Sequence, residues 1–499
     1  MNRSLRRFLW ALSLVLAASS TLARAADGES PASTEPGEEC EVNPQTGEID
    51  CNRPELHYDR PKMFTEDWFN KTKQPVEWFS WGADLRLRGI WDKNLTTRDE
   101  GANNERFWHR YRTRWWGTVN ITEDLDLNVG LAWEWRVYCR PKGDLRDTTL
   151  DEAIIEKLNV EWRNIGGLPL SARVGRQNIT GLNDWLLFEG TPLDGSRTIF
   201  HDAARLTWEI KEFQTIIDGI YIDNAADPSD RIKPINDRDR HLIEHNERGG
   251  VLYVRNTSIE RTQIEGYFIV KHDMGSDAYP NSDRTTYTMG ARVKGNIDEA
   301  RHWAYDVQIA QQVGHEEGQN ICAGAAVGQL FYYFQDDWKN TIRMGYEYRS
   351  GDDPSTGHKE AFDNLWGRYP TFSNIYQGYT DTMEGVRPAD LANLHRVQLG
   401  WSFAPMGNAN HEICTDYHLL LADQNTLGQT GLPAGGSGPR LFSKSGNIRG
   451  HMLTSVWKAK WTEHISSHLI GEVLFPGDYY TDEKNEPVFF LRYEIVFSW

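Results

Sequence analysis

The chain has 499 residues, with 54 Lys+Arg against 72 Asp+Glu and a formal net charge of −18. Beyond residue 25 no run approaches the ~18 apolar residues of a membrane-spanning helix, and the acidic balance argues against a nucleic-acid partner, which favours a basic surface. Against that polar background stand 20 Trp, 20 Tyr and 19 Phe, a combination that suits a transmembrane β-barrel with lipid-facing apolar residues, polar lumen residues and aromatic girdles.

The first 25 residues read as a secretory signal peptide. Arg3, Arg6 and Arg7 form the charged start, Phe8 to Leu22 the apolar stretch, and Ala23-Arg24-Ala25 the small-x-small cleavage site. Residues 26–76 are acidic and rich in Pro, Ser and Glu, an N-terminal extension without a core of its own. Within it Cys40 and Cys51 are close enough in sequence for one local disulfide in an oxidising compartment. Cys139, Cys322 and Cys414 are dispersed and take no assigned role.

From Phe79 to the last residue an apolar/polar alternation recurs, so residues 77–499 read as one all-β domain. In 79–92, Phe79, Trp81, Ala83, Leu85, Leu87 and Trp91 share one face and Ser80, Asp84, Arg86, Arg88 and Asp92 the other. The pattern repeats in 106–121 and 125–138, and again in 168–177, 203–210, 262–271, 286–294, 303–310, 341–349 and 394–403. It closes with 489–499, ending on Trp499. Successive strand side chains point to opposite faces, so each segment is an amphipathic strand. Half-buried strands of a soluble sandwich are the alternative. Strand lengths of ten or more suit a tilted membrane crossing better.

Short connections such as Thr122-Glu123-Asp124 and Ile165-Gly166-Gly167 contrast with long polar ones at 223–248 and 423–449. That asymmetry predicts a single antiparallel transmembrane barrel of about 16–18 strands, with short periplasmic turns and long extracellular loops.

The polar faces carry Arg86, Arg88, Arg110, Arg112, Arg114, Arg136, Arg173, Arg205, Arg292, Arg343, Arg396 and Arg492. Guanidinium forks recognise carboxylate and phosphate bidentately, and a ring of them in a pore selects anions. Acids such as Asp84, Asp126, Glu134, Glu347 and Glu494 share those faces, so plain cross-lumen pairing stays open as the alternative. Trp108 and Trp116 either stack on sugar rings or fill space at the rim.

Several stretches resemble the alginate export barrel family. They are Ala172-Arg173-Val174-Gly175-Arg176-Gln177 with Leu193-Asp194-Gly195-Ser196-Arg197, Tyr346-Glu347-Tyr348-Arg349-Ser350-Gly351-Asp352-Asp353, Phe362-Asp363-Asn364-Leu365-Trp366-Gly367, and Phe475-Pro476-Gly477-Asp478-Tyr479-Tyr480. The resemblance implies a barrel of about 18 strands with an arginine-lined lumen that passes an anionic polyuronate outward. It adds Arg176 and Arg197 as lumen residues and Asp194 as a pairing partner.

The function expected is passive transport of an anionic polysaccharide or small anionic solute through the outer membrane of a Gram-negative-type cell. The expected contacts are outer-membrane lipid and periplasmic export components, with no nucleic acid. An uptake porin for small anions or oligosaccharides shares every feature above. An outer-membrane enzyme and a closed structural barrel are further alternatives.

No cofactor, metal or catalytic group is expected. His411 and Cys414 have opposite strand parity, and His315-Glu316-Glu317 lacks a second His at helical spacing. Asp227, Asp230, Asp237 and Asp239 lack a calcium-loop pattern. Ser196 is not in a Gly-x-Ser-x-Gly elbow.

Overall fold

A computed structural model describes residues 40–42, 49–51, 66–95, 104–140, 153–182, 185–187, 200–227, 231–235, 245–276, 283–353, 355–367, 372–376, 392–425 and 442–499. The signal-peptide reading, Asp194, Ser196 and Arg197 lie outside these residues. The chain divides into two compact units, Met1–Lys62 and Met63–Trp499. In the first, Cys40–Val42 and Ile49–Cys51 pair antiparallel, with Cys40 opposite Cys51.

The second unit is a closed barrel of 18 antiparallel strands. In chain order these are β1 Phe79–Lys93, β2 Glu105–Thr122, β3 Leu125–Arg140, β4 Ala153–Trp162, β5 Leu170–Gln177 and β6 His201–Ile210. They continue as β7 Thr215–Asn224, β8 Asn246–Asn256, β9 Thr262–Met274, β10 Asp283–Asn296, β11 Trp303–Glu316 and β12 Gln319–Tyr333. The ring is completed by β13 Thr341–Arg349, β14 Leu394–Phe403, β15 His411–Leu421, β16 Ile448–Thr462, β17 Ile465–Pro476 and β18 Val488–Ser498. Closure is between β18 and β1, where Arg492 faces Ile90 and Glu494 faces Arg88. Closing the sheet removes the unpaired edges that an open sheet would leave.

The alternation read from the sequence is the inside/outside code of this barrel. On β1, Asp84, Arg86, Arg88 and Asp92 are buried while Leu85 is 36% exposed. On β10 and β11, Thr286, Thr288, Gln308 and Gln312 are buried, whereas Met289 and Ile309 are more than half exposed. Outward-facing positions are therefore apolar and enclosed ones polar, the reverse of a soluble domain and the arrangement that lipid demands. Seven strands (β4, β7, β8, β12, β15, β16 and β17) are not marked by the alternation. Their inner faces are partly apolar or small, as at Ile220 and Ile222 of β7 and Ala323 and Ala325 of β12, so the polar half of the signal is missing.

The eight turns at one end are short, while the other end carries the long connections, including the 350–393 loop. One connection at the long end is tight: Glu317 and Gly318, both with positive φ, join β11 to β12 as a two-residue hairpin requires. Outward tryptophans ring the short-turn end, among them Trp162, Trp208, Trp303, Trp401 and Trp461, where an aromatic belt meets the membrane interface.

An α-helix at Glu66–Lys73, inside the segment read as the N-terminal extension, packs at this same end. Its Thr72 carbonyl accepts from Trp81 Nε1 at 2.7 Å, and Trp68 and Phe69 meet Trp499 edge-on at 5.0 Å. The last residue is tied in turn by its amide, which donates to the Ala83 carbonyl at 2.7 Å.

Candidate lumen site and family

Two features fill the interior: a basic wall on β18, β1, β2 and β3, and a strap folded in from the β13–β14 connection.

Strand register builds the wall. Arg88 stands opposite Arg110, Arg86 opposite Arg112, and Arg110 opposite Arg136. Like charges directly opposed on one face destabilise a sheet, so this wall is arranged against its own stability. Acids are interspersed in it. Arg88 Nε donates to Glu494 at 2.6 Å, Arg86 Nη2 donates to Glu134 at 3.2 Å, and Arg110 Nε lies 3.4 Å from Glu134. Arg114 bonds Asp84. Asp84, Glu134 and Glu494 stand among six guanidiniums (86, 88, 110, 112, 114 and 136), with Glu156 buried on the neighbouring β4. The side chains of Arg86 and Arg88 are 0% and 1% exposed, so these two are shut from solvent in this conformation.

Trp108 lies on the wall among close neighbours. It stacks on Tyr138 at 5.3 Å, and Arg110 and Arg136 lie 5.3 and 5.8 Å from its ring. This close ring packing fits the space-filling alternative. Trp116 has Arg114 at 5.9 Å.

Elsewhere most inward arginines are matched with acids on the same or nearby strands. Arg173 bonds Glu161, Arg205 bonds Asp218, Arg292 bonds Asp306 and Arg343 bonds Asp416. Arg396 and Arg349 both bind Glu347, each at 2.7 Å. Arg492 donates to His468 Nε2 at 3.1 Å. Pairing across the sheet accounts for Arg173, Arg205, Arg292 and Arg343 without any permeant.

Arg176 departs from the lumen position that the resemblance implies. Register sets it opposite Leu158 and Asp202, on the parity of the lipid-facing Leu206 and Trp208. It is buried because Asp202 binds it bidentately at 2.8 and 2.9 Å, Phe200 lies 3.6 Å beneath it, and it donates to the Ile155 and Ile232 carbonyls. A motif carries residue identity; strand parity decides direction, and parity sends Arg176 outward. Parity likewise separates His411, which lies beside Trp457, from the inward Cys414 and His418.

The strap is the part that the sequence reading did not locate as a site. Phe362, Leu365 and Trp366 are fully buried among Val251, Tyr253, Ile269 and Ile321. Trp366 Nε1 donates to Glu247 on β8 at 3.1 Å. Lys271 Nζ donates to the Leu365 carbonyl at 3.1 Å, and Gln312 exchanges two hydrogen bonds with the Asp363 backbone at 2.7 and 2.8 Å. A few residues on, Ile375 and Tyr376 are buried among Ile90, Met452, Ile470 and Leu474. There Glu472 on β17 accepts from Ser373 Oγ at 2.7 Å and Ile375 N at 2.8 Å.

Strands β8 and β17 are nine places apart in a ring of 18, which is half its circumference. The loop is therefore pinned to opposite walls. The one signal for this was Glu472 itself, a lone carboxylate inside the apolar run Leu469 to Phe475.

A closed 18-strand barrel with a lipid-facing exterior and a charged interior defines an outer-membrane porin-type channel. The chain belongs to the Alginate export family, whose profile matches residues 77–488. It is similar in fold to solved structures of Pseudomonas aeruginosa OccK3 (OpdO), at TM-score 0.52 and 11% identity over 87% of this chain and 99% of that one. Acinetobacter baumannii OccAB2 matches at TM-score 0.52 and 10% identity, over 84% and 98% of the two chains. P. aeruginosa OccK5 (OpdH) matches at 0.51 and 10%, over 84% and 97%. At these identities the likeness concerns the fold alone. No curated protein is recognisably similar in sequence.

Proposed function

We propose that this protein is a passive outer-membrane channel for anionic solutes, with a linear polyuronate such as alginate as its cargo and no catalytic role. The observation that carries this reading is the row of facing arginines Arg86/Arg112, Arg88/Arg110 and Arg110/Arg136. Elsewhere an opposed pair such as Arg173/Arg205 is flanked by acids, with Glu161 bonded to the first and Asp218 to the second. A wall dense in guanidiniums offers a permeating carboxylate a series of weak, exchangeable sites, so an anion enters and still leaves. Family membership supports a polysaccharide over a small anion, and the periplasmic export components of such a system would meet the short-turn end.

The test is single-channel current of the refolded protein in a planar bilayer under a salt gradient, with polyuronate then added. Anion selectivity with block by the polymer is expected. A cation-selective current that ignores polyuronate overturns the reading. Anion selectivity with block by monomeric uronates but not by polymer moves the assignment to a small-anion uptake porin.

A further inference from the structure

Glu472 is 2% exposed on the inner face of β17, and the strap alone supplies its hydrogen bonds. Ser373 Oγ donates at 2.7 Å, Asn374 N and Nδ2 at 2.9 Å each, and Ile375 N at 2.8 Å. No ion pair satisfies this carboxylate among the described residues; four neutral donors of one short segment do so instead. The other end of the same Asn374 amide is also held, since Arg492 Nη1 donates to its Oδ1 at 2.8 Å. Glu472 and Arg492 sit on adjacent strands, offset by one pair: Glu472 faces Phe490, and Arg492 faces Ile470. Such diagonal neighbours are within reach of each other when the side chains are long. The Asn374 amide is thus inserted between an acid and a base that could bond directly.

We propose that residues 372–376 form a releasable latch over the basic wall, with Glu472 and Arg492 as its two-position switch. This rests on the channel reading and concerns the regulation of that same site. Seated, the latch gives Glu472 its donors, places Phe372 4.4 Å from the Arg396 guanidinium, and packs Ile375 and Tyr376 in the cluster that includes Ile90 and borders Trp108. Ile90 and Trp108 are the inward residues directly next to Arg88 and Arg110, so the seated latch covers the upper edge of the wall. Released, it exchanges neutral amide bonds for the Glu472–Arg492 ion pair and for water on both groups. Each position gives Glu472 and Arg492 their polar partners, which makes the element bistable and not merely loose. Between the two positions only the covered area of the pore changes, and the strands keep their register.

The experiment uses the full chain in planar bilayers, with folding checked by its β-type far-UV spectrum and heat-modifiable migration. Asn374→Ala and Glu472→Ala are expected to raise anion conductance or open probability severalfold over wild type. A Ser373→Cys/Glu472→Cys pair, with the cross-link verified by mass, is expected to conduct below wild type when oxidised and at the Glu472→Ala level after reduction. Anion-selective currents that are the same in wild type, both alanine variants and the cross-linked pair overturn the latch and leave the channel reading standing. If every folded variant, the reduced pair included, lacks an anion-selective current, the channel reading falls and the latch falls with it.

Discussion

Arg88 on β1 and Arg110 on β2 are direct cross-strand partners on the inner face of the barrel, with Glu494 bonding the first and Glu134 lying beside the second. Opposed like charges destabilise a sheet. Arg110→Ala removes that cost together with a long contact to Glu134, which Arg86 also binds. The expected outcome is an unchanged or slightly raised unfolding temperature and a severalfold loss of anion preference in reversal-potential measurements. A marked fall in unfolding temperature with selectivity intact would make Arg110 a structural residue.

Trp366 anchors the strap on the wall opposite Glu472. Its indole is fully buried, donates to Glu247, and lies over Gly249, where an added Cβ would come within 2.6 Å of the ring. Trp366→Ala removes that packing, and loss of a buried Trp costs about 3–5 kcal/mol. It also leaves Glu247 short of a donor. Because the barrel ladder itself is untouched, the loss is expected to show as faster protease cleavage within residues 350–376, with heat-modifiable migration retained. Cleavage at the wild-type rate would count against docking through this residue.

Acid sensitivity at the short-turn end is expected to come from two exposed turn carboxylates. Asp298 is held below the ordinary carboxylate range by the Trp303 amide and further by that of His302. Asp336 is lowered by the Asn340 amide and then by its side chain. A depressed folded value means that the stability is present above the ordinary carboxylate range and is lost as pH falls through the folded value. An Asp298→Asn/Asp336→Asn variant should therefore unfold below wild type near neutrality. The gap should close on titration from about pH 6 to about pH 2. A gap that is constant over that range would refute the linkage.

Cys40 and Cys51 face each other across two antiparallel strands. Opposed Cα atoms in such a pair are about 4.5–5.5 Å apart, inside the range a disulfide spans. The secreted protein is expected to resist alkylation at both cysteines until reduced, and then to gain two labels there by mass. Labelling of both without reductant would refute the bridge.

The period-two alternation by itself determined the architecture. Lipid outside and polar groups inside leave one arrangement for strands of this length, and parity alone assigns Arg86, Arg110, Arg292 and Arg396 to the inner face. The same parity, applied through the register, turns Arg176 outward where the motif resemblance had placed it inside. What the sequence could not determine is which charges are matched. Arg343 and Arg110 look alike on their strands, yet one meets Asp416 and the other meets Arg88 and Arg136. Pairing depends on cross-strand register between segments far apart in the chain, which local periodicity does not encode. The strap was equally out of reach. Its residues have no strand pattern, and Glu472 gains its partners from a segment about 100 residues away only after the barrel has closed around it.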